Sequence, residues 1–376
     1  MRALTPVVEE HREAGERDRR LPRPVVEALR SSGALRLYNP RELGGHELPV
    51  RAALGVMEQV GRLDVSVAWV LANATLGGLA ALLPREGAAR MWGEDPDVFI
   101  VNSTRSVDAA AGRAPGGWLL NGRWDLVTGL DVADWVGLLG TVRGEHAPSD
   151  GRAGDDPGMR MFFVRRSELA VVDTWDTVAM RMTGSATAVA HDVFVPDVLV
   201  LDPMAAPRID RPLYRVPHFS SIGSLVAGAL LGVTASALDQ LADLVTTKAG
   251  GDGAPLADQH RVQATVGELG ARVDAARLLL LDAAGDLDDT AEAGRPITLG
   301  QRGRMRSAMS LVAVVSRAAL AAVYEQAGST VLYRGGRLER TVRDGLAAAQ
   351  HGNLDATHFA VAGRIALGRE SVDMHI

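Results

Sequence analysis

Gly117-Trp118-Leu119-Leu120-Asn121-Gly122-Arg123-Trp124-Asp125-Leu126-Val127-Thr128-Gly129-Leu130-Asp131-Val132-Ala133-Asp134-Trp135 is the stretch from which the rest of the chain is read. Trp118 to Leu120 form an apolar run, Asn121-Gly122 is a strong short-turn signal, and Arg123 to Val127 return with alternating character. A β-hairpin turning at Asn121-Gly122 is therefore expected. The strand pattern breaks at Thr128-Gly129. A hydroxyl followed by glycine at a strand end is expected to leave backbone N–H groups free for a ligand. Trp135 to Leu139 then open a new buried strand. Taken alone, the stretch reads equally as an ordinary hairpin in a β core and as part of a binding site.

Composition narrows the function classes. The chain has 376 residues, 47% of them hydrophobic and 4% aromatic, enough for two or three domains and weighted towards helix. A net charge of −6 gives no reason to expect nucleic acid or an anionic membrane as partner. With no cysteine, disulfides, zinc-thiolate sites and thiol nucleophiles are excluded. The first twenty residues carry no apolar core of signal-peptide type, and the apolar run near Ile222 to Val233 is expected to be too short to span a bilayer. A cytoplasmic protein is expected. There is no G-x-G-x-x-G after a strand, no P-loop and no H-E-x-x-H, so neither a dedicated nicotinamide site nor a metal site is expected.

Outward from the opening stretch, the pattern divides the chain into three. Residues 1–97 read as helices, with Pro24 at a helix start and Asp64-Val65-Ser66 capping an apolar helix to Leu82. Residues 98–205 read as short strands near 98–101, 117–127, 135–142, 159–164 and 187–195. A loop rich in Asp, Gly and Pro is expected over 144–158. Residues 206–376 carry four long helical segments, Ile222 to Leu244, Gln259 to Leu287, Leu299 to Ala327 and Arg337 to Leu367, with apolar spacings of three and four. The fold class expected is mainly α with a central β domain, closed by a C-terminal four-helix bundle.

A second β segment repeats the hydroxyl-glycine turn: Asp173 to Pro196 reads DTWDTVAMRMTGSATAVAHDVFVP. The order of the two segments between helical regions resembles the acyl-CoA dehydrogenase superfamily of flavoproteins. In detail it is similar to the two-component, group D flavin-dependent monooxygenases, through a W-x-F/L-x-S/T-G run (Trp124 to Gly129) and a T-W-D-x-x-x-M-R-x-T-G-S run (Thr174 to Ser185). The resemblance implies an N-terminal helical domain, a β-barrel or sandwich and a four-helix bundle. It implies a homo-oligomer, expected to be a tetramer. It implies reduced flavin, FAD or FMN, supplied by a separate NAD(P)H:flavin reductase, with O2 as co-substrate and a small molecule as substrate. It further implies that Leu126, Val127, Thr128 and Gly129 lie along the flavin ring, with Thr128 near N5, and that Thr183 and Ser185 contact the cofactor. Asn102 and Thr104, at the end of the first strand, are candidates for the flavin edge or phosphate.

His351 is the residue singled out for chemistry. In an acyl-CoA dehydrogenase, an Arg-Asp pair like Arg343-Asp344 is followed by a Glu-Gly pair whose Glu is the base. Counted from Arg343, that Glu falls at Gly352, and His351 precedes it. The dehydrogenases' second place for a base, Ser224 to Leu230, has no acid, and Asn102 to Arg105 replaces their threonine-glutamate-proline turn. In the monooxygenase branch a His at this place faces flavin and substrate. There the reaction runs through a C4a-hydroperoxide, which an imidazole can hydrogen-bond; alternatively it manages a substrate proton. Asn73, on an apolar helix, is either a pocket residue or a partner in a helix–helix hydrogen bond, and His218 is a candidate for the substrate pocket. The R-x-x-F-G element that contacts FAD in dehydrogenases is missing from Thr247 to Leu256; Lys248 is left to supply charge there. The expected reaction is hydroxylation of an aromatic ring or oxidation of an amine. The alternatives are a dehydrogenase-type desaturase and a non-catalytic binding protein on a flavoenzyme scaffold.

Overall fold

The computed structural model describes residues 3–143, 158–251 and 253–369. Its N-terminal part holds helices α1 (Leu4–Asp18), α2 (Arg23–Ser31), α3 (Val50–Leu63), α4 (Val65–Ala74) and α5 (Arg85–Trp92). Pro24 sits in the first turn of α2. Asp64 caps α4 by accepting the backbone N–H groups of Ser66 and Val67 at 2.9 and 3.2 Å, which satisfies two donors that a helix start leaves without partners. The helix expected to run to Leu82 ends at Ala74 and is followed by a 3-10 turn, Gly77–Ala81. Thr75 bonds the Leu71 carbonyl at 2.8 Å, and the adjacent Gly77-Gly78 pair disfavours continuation.

The β domain holds β1 (Ile100–Ser103), β2 (Ser106–Ala114), β3 (Gly117–Val127), β4 (Trp135–Arg143), β5 (Met159–Arg165), β6 (Ala170–Val172), β7 (Ala186–Pro196) and β8 (Val200–Leu201). They form one sheet in the order β6-β7-β3-β2-β4-β5-β8, with β1 parallel to β4. The opening stretch is not the expected hairpin. β3 runs unbroken through Asn121-Gly122, and the hairpin turns earlier, at Pro115-Gly116, where Ala114 pairs with Gly117 and Gly116 takes φ +77°. Proline followed by a glycine at positive φ is itself a two-residue turn. Asn121-Gly122 instead lies opposite a bulge in β7, where Asp192 takes φ +48° and exchanges hydrogen bonds with Asn121 at 2.8 and 2.9 Å. β3 therefore lies between β2 and β7, inside the sheet. The loop expected over 144–158 falls, but for Gly158, outside the described residues.

The C-terminal part holds α6 (Pro212–Arg215), α7 (His218–Thr247), α8 (His260–Glu292), α9 (Leu299–Ala327), α10 (Arg337–Ala348) and α11 (His358–Ala366). The segment expected as one helix from Arg337 to Leu367 is two, broken by a 3-10 turn at Gly352–Leu354. α7 is longer than its apolar run suggested. It has the length and composition of a membrane span, but 78% of its most apolar window is covered by the rest of the protein, as for a core helix. The N-terminal part docks on the bundle through α3 and α7. A Cβ at Gly61 would strike the Ala229 carbonyl, and one at Gly232 would strike the Glu58 carbonyl, so glycine on both helices permits the backbones to touch.

Candidate active site

The two hydroxyl-glycine turns, more than fifty residues apart in sequence, meet. The Thr128 hydroxyl lies 3.0 Å from that of Ser185, which lies 2.8 Å from that of Thr183, which donates to the Met180 carbonyl at 2.8 Å. The Gly129 N–H, expected to be free for a ligand, donates to the Thr183 carbonyl at 2.8 Å. That bond locks the turns together, and Gly129 takes φ +75°, a conformation open to glycine. Met180 is the hub. It holds φ +56°, its carbonyl also accepts the Trp175 indole N–H at 3.2 Å, and its own N–H donates to the Asp344 carboxylate at 2.9 Å. The spacing of the T-W-D-x-x-x-M-R-x-T-G-S run thus has a geometric cause, since Trp175, Thr183 and Asp344 all hold one left-handed methionine.

α4 connects these turns to His351. Near its start, Ser66 contacts the Met180 sulfur at 3.9 Å, and a Cβ on Gly129 would press on Val70 at 3.0 Å. The next face of the helix carries Trp69 and Asn73, half-buried on an otherwise buried helix. Trp69 meets the His351 ring edge-on, with centroids 5.2 Å apart at 79°. Asn73 donates to the Trp69 carbonyl at 3.1 Å; this bond lies within its own helix, not between helices.

His351 does not lie on a helix. It caps the 3-10 turn, and its Nδ1 accepts the Asn353 N–H at 3.2 Å. An acceptor at Nδ1 assigns the proton of the neutral ring to Nε2, so His351 presents a donor. Burial lowers its pKa to about 4, and likewise that of His218, because a desolvated imidazole resists charge. The unfolded chain takes up these protons as pH falls through 6.5, so the stability linked to both histidines is lost as pH falls from 6.5 towards 4. Asp344 runs oppositely. Burial pushes its carboxyl up to about 7 against the pull of Arg343, so its contribution is lost as pH rises from 3.8 to about 7. In an NMR titration of the imidazole resonances, the signals of His351 and His218 are expected to stay neutral at pH 5.5; a midpoint near 6.5 for either would contradict this environment.

The remaining expected residues divide. Val127 is buried at the end of β3 and pairs with Ala186. Leu126 is 45% exposed at φ +56°, an apolar side chain turned outward on backbone that leucine rarely adopts. Asn102 is half-buried in β1 and Thr104 is exposed beyond it. His218 opens α7, its ring against Phe219 at 6.2 Å; its ring does not reach the hydroxyl chain through any hydrogen bond among the described residues. Lys248 is not a free charge. Its ammonium donates to the Ala327 carbonyl at 2.8 Å and to the Thr330 hydroxyl at 3.0 Å. Asp344, a buried carboxylate with a raised pKa, holds the Met180 N–H and the Arg343 guanidinium through its Oδ1. Sequence reasoning missed Trp69 and used Asp344 only as a landmark. The Arg-Asp pair was the available signal.

Residues 2–87 match the family "Acyl-CoA dehydrogenase, N-terminal domain" and residues 224–356 match "Acyl-CoA dehydrogenase, C-terminal domain". A protein of Rhizobium sp. named FADH(2)-dependent resorcinol hydroxylase, oxygenase component, is 30% identical over 89% of this chain and 85% of its own. The chain belongs to the flavin-dependent monooxygenases of the acyl-CoA dehydrogenase superfamily. The indole-3-acetate monooxygenase of Pseudomonas putida is 28% identical, over 94% of this chain and 89% of its own. The solved structure of XiaF from Streptomyces sp., in complex with FADH2 and glycerol, superposes with a TM-score of 0.89 at 26% identity, over 98% of this chain and 94% of that one. Within this family of monooxygenases, the residues present suit a flavin. An outward apolar Leu126 and the buried Thr128 hydroxyl stand at one strand end, where an apolar ring face and a polar ring nitrogen would need them.

Proposed function

We propose that the chain is the oxygenase component of a two-component system, in which a separate NAD(P)H:flavin reductase delivers reduced flavin and the protein hydroxylates an aromatic ring of a small substrate. The observation that carries this reading is the meeting of both hydroxyl-glycine turns in one buried hydroxyl chain, which α4 links to a neutral His351. Bound reduced flavin would supply the activation of O2. The protein's own residues would hold the ring and exclude water around it. Leu126 and Val127 would face the ring, Thr128 its N5 edge, Thr183 and Ser185 would brace Thr128, and Asn102 and Thr104 would stand at the periphery. His351 would donate from Nε2 to oxygen at the reacting centre, because its Nδ1 is already bonded to Asn353. Asn73 and His218 would line the substrate side.

An aromatic substrate is supported by the names of the relatives, a resorcinol hydroxylase and an indole-3-acetate monooxygenase. The protein would act in the cytoplasm as a homotetramer through its bundles. Half-exposed or exposed apolar side chains on α8 and α9, among them Leu278 and Tyr324, support association. Anaerobic titration with reduced FAD and reduced FMN tests the cofactor reading: saturable binding of at least one is the expected result, and binding of neither would defeat it.

A further inference from the structure

The hydroxyl chain has a direction. A carbonyl only accepts, so the Thr183 hydroxyl spends its one proton on the Met180 carbonyl. In the 2.8 Å contact between Thr183 and Ser185, Ser185 must therefore donate. Its proton is then spent, and in the 3.0 Å contact with Thr128 the donor must be Thr128. All three hydroxyls are buried, so water does not readily reset this order. Thr128 is left with no proton to offer and with oxygen lone pairs free. The direction originates at Met180, a non-glycine residue at φ +56° whose N–H is held by Asp344 on α10 and whose carbonyl also receives the Trp175 indole.

We propose that Asp344 is a positioning residue that, by holding Met180, fixes the Thr183-Ser185-Thr128 chain so that Thr128 presents an acceptor, and that this makes the site select reduced over oxidised flavin. The inference rests on the reading that flavin N5 lies against Thr128. N5 of reduced flavin carries a hydrogen and can donate to Thr128. N5 of oxidised flavin is an acceptor, and it would face an oxygen with nothing to donate. A two-component oxygenase has to take up the reduced form and let go of the oxidised one, and a one-way hydroxyl chain biases both steps without a charge.

Equilibrium binding of reduced and oxidised flavin to the full-length protein and its variants tests this; reduced flavin is titrated anaerobically and no turnover is needed. Ser185→Ala removes the acceptor of the Thr128 proton, so Thr128 can turn and donate to oxidised N5. The ratio of oxidised to reduced dissociation constants is expected to fall about 10-fold, in part because oxidised flavin binds more tightly than to the parent. A merely structural loss would weaken both forms together. Asp344→Ala is expected to lower the ratio similarly, and Asp344→Asn, which keeps an acceptor for the Met180 N–H, to recover at least half of the change. Where Asp344→Ala fails to fold, Asp344→Glu, which shifts the acceptor by one methylene, serves the same comparison. If Thr128→Val alters the ratio but Ser185→Ala and the Asp344 variants leave it at the parent value, the directional chain is refuted and the flavin placement stands. If Thr128→Val also leaves the ratio unchanged, the placement of N5 is refuted and the directional chain with it.

Discussion

Replacing His351 with alanine is expected to lower product formation by about 10²-fold or more, while the protein folds and binds reduced flavin as the parent does. The expectation follows from placement. The ring is held on one side by the Asn353 N–H and on another by the edge of Trp69, so its position is set without any bond from Nε2. Burial keeps it neutral, with a pKa near 4. Nε2–H is then a fixed donor in a half-buried place, and once a bound flavin and substrate exclude water from it, a hydrogen bond to developing negative charge on oxygen counts most. Losing it should divert flavin oxidation towards hydrogen peroxide. Reduced flavin would still be consumed in the variant, but little of it would appear as product. His351→Gln, which can place an amide donor nearby, is expected to lie between. Turnover of His351→Ala at the parent rate would remove His351 from the chemistry.

Thr128→Val keeps the shape of the side chain and deletes its hydroxyl. Product formed per flavin oxidised is expected to fall about 10-fold, as for loss of one neutral hydrogen bond at the reacting centre. Ser185 also loses one of its two buried hydroxyl partners and keeps Thr183, so the variant should be less stable by about 1 kcal/mol, read from denaturant unfolding at constant pH. Thr128→Ser separates the hydroxyl from the extra methyl and is expected to recover part of both losses. If Thr128→Val is destabilised while its product yield equals the parent's, the hydroxyl is structural and does not meet the flavin.

Local chemistry carried most of what the sequence could reveal. The cap at Asp64, the proline at the start of α2, five of the eight described strands and the helices α7, α8 and α9 follow from residue order and periodicity; β2, β6 and β8 were not expected. Asn121-Gly122 misled because its turn propensity is local, while its surroundings are not. β7 pairs along the whole of β3, and the hairpin is already closed by Pro115-Gly116, so the same dipeptide stays within the strand, facing a bulge in β7. β3 does end before Thr128-Gly129, as the pattern implies, but the Gly129 N–H expected to be free goes to the Thr183 carbonyl. No pattern within either turn could show that bond, since it depends on the sheet bringing residue 183 to residue 129. His351 is singled out by its place after Arg343-Asp344, yet its setting is not legible there, because a cap on a 3-10 turn and a ring contact to Trp69 come from separate elements. The task of Asp344 was equally hidden. A buried carboxylate beside an arginine reads as an ion pair, and only the fold shows that it also holds Met180.

The most direct test of the account is a single turnover of the purified protein with chemically reduced flavin, labelled O2 and a panel of phenols and indoles, with no reductase present. The account predicts one labelled oxygen in a hydroxylated aromatic product, with the yield per flavin collapsing in His351→Ala. Oxidation of the flavin with O2 reduced only to hydrogen peroxide across the whole panel, and the His351→Ala variant indistinguishable from the parent, would contradict it.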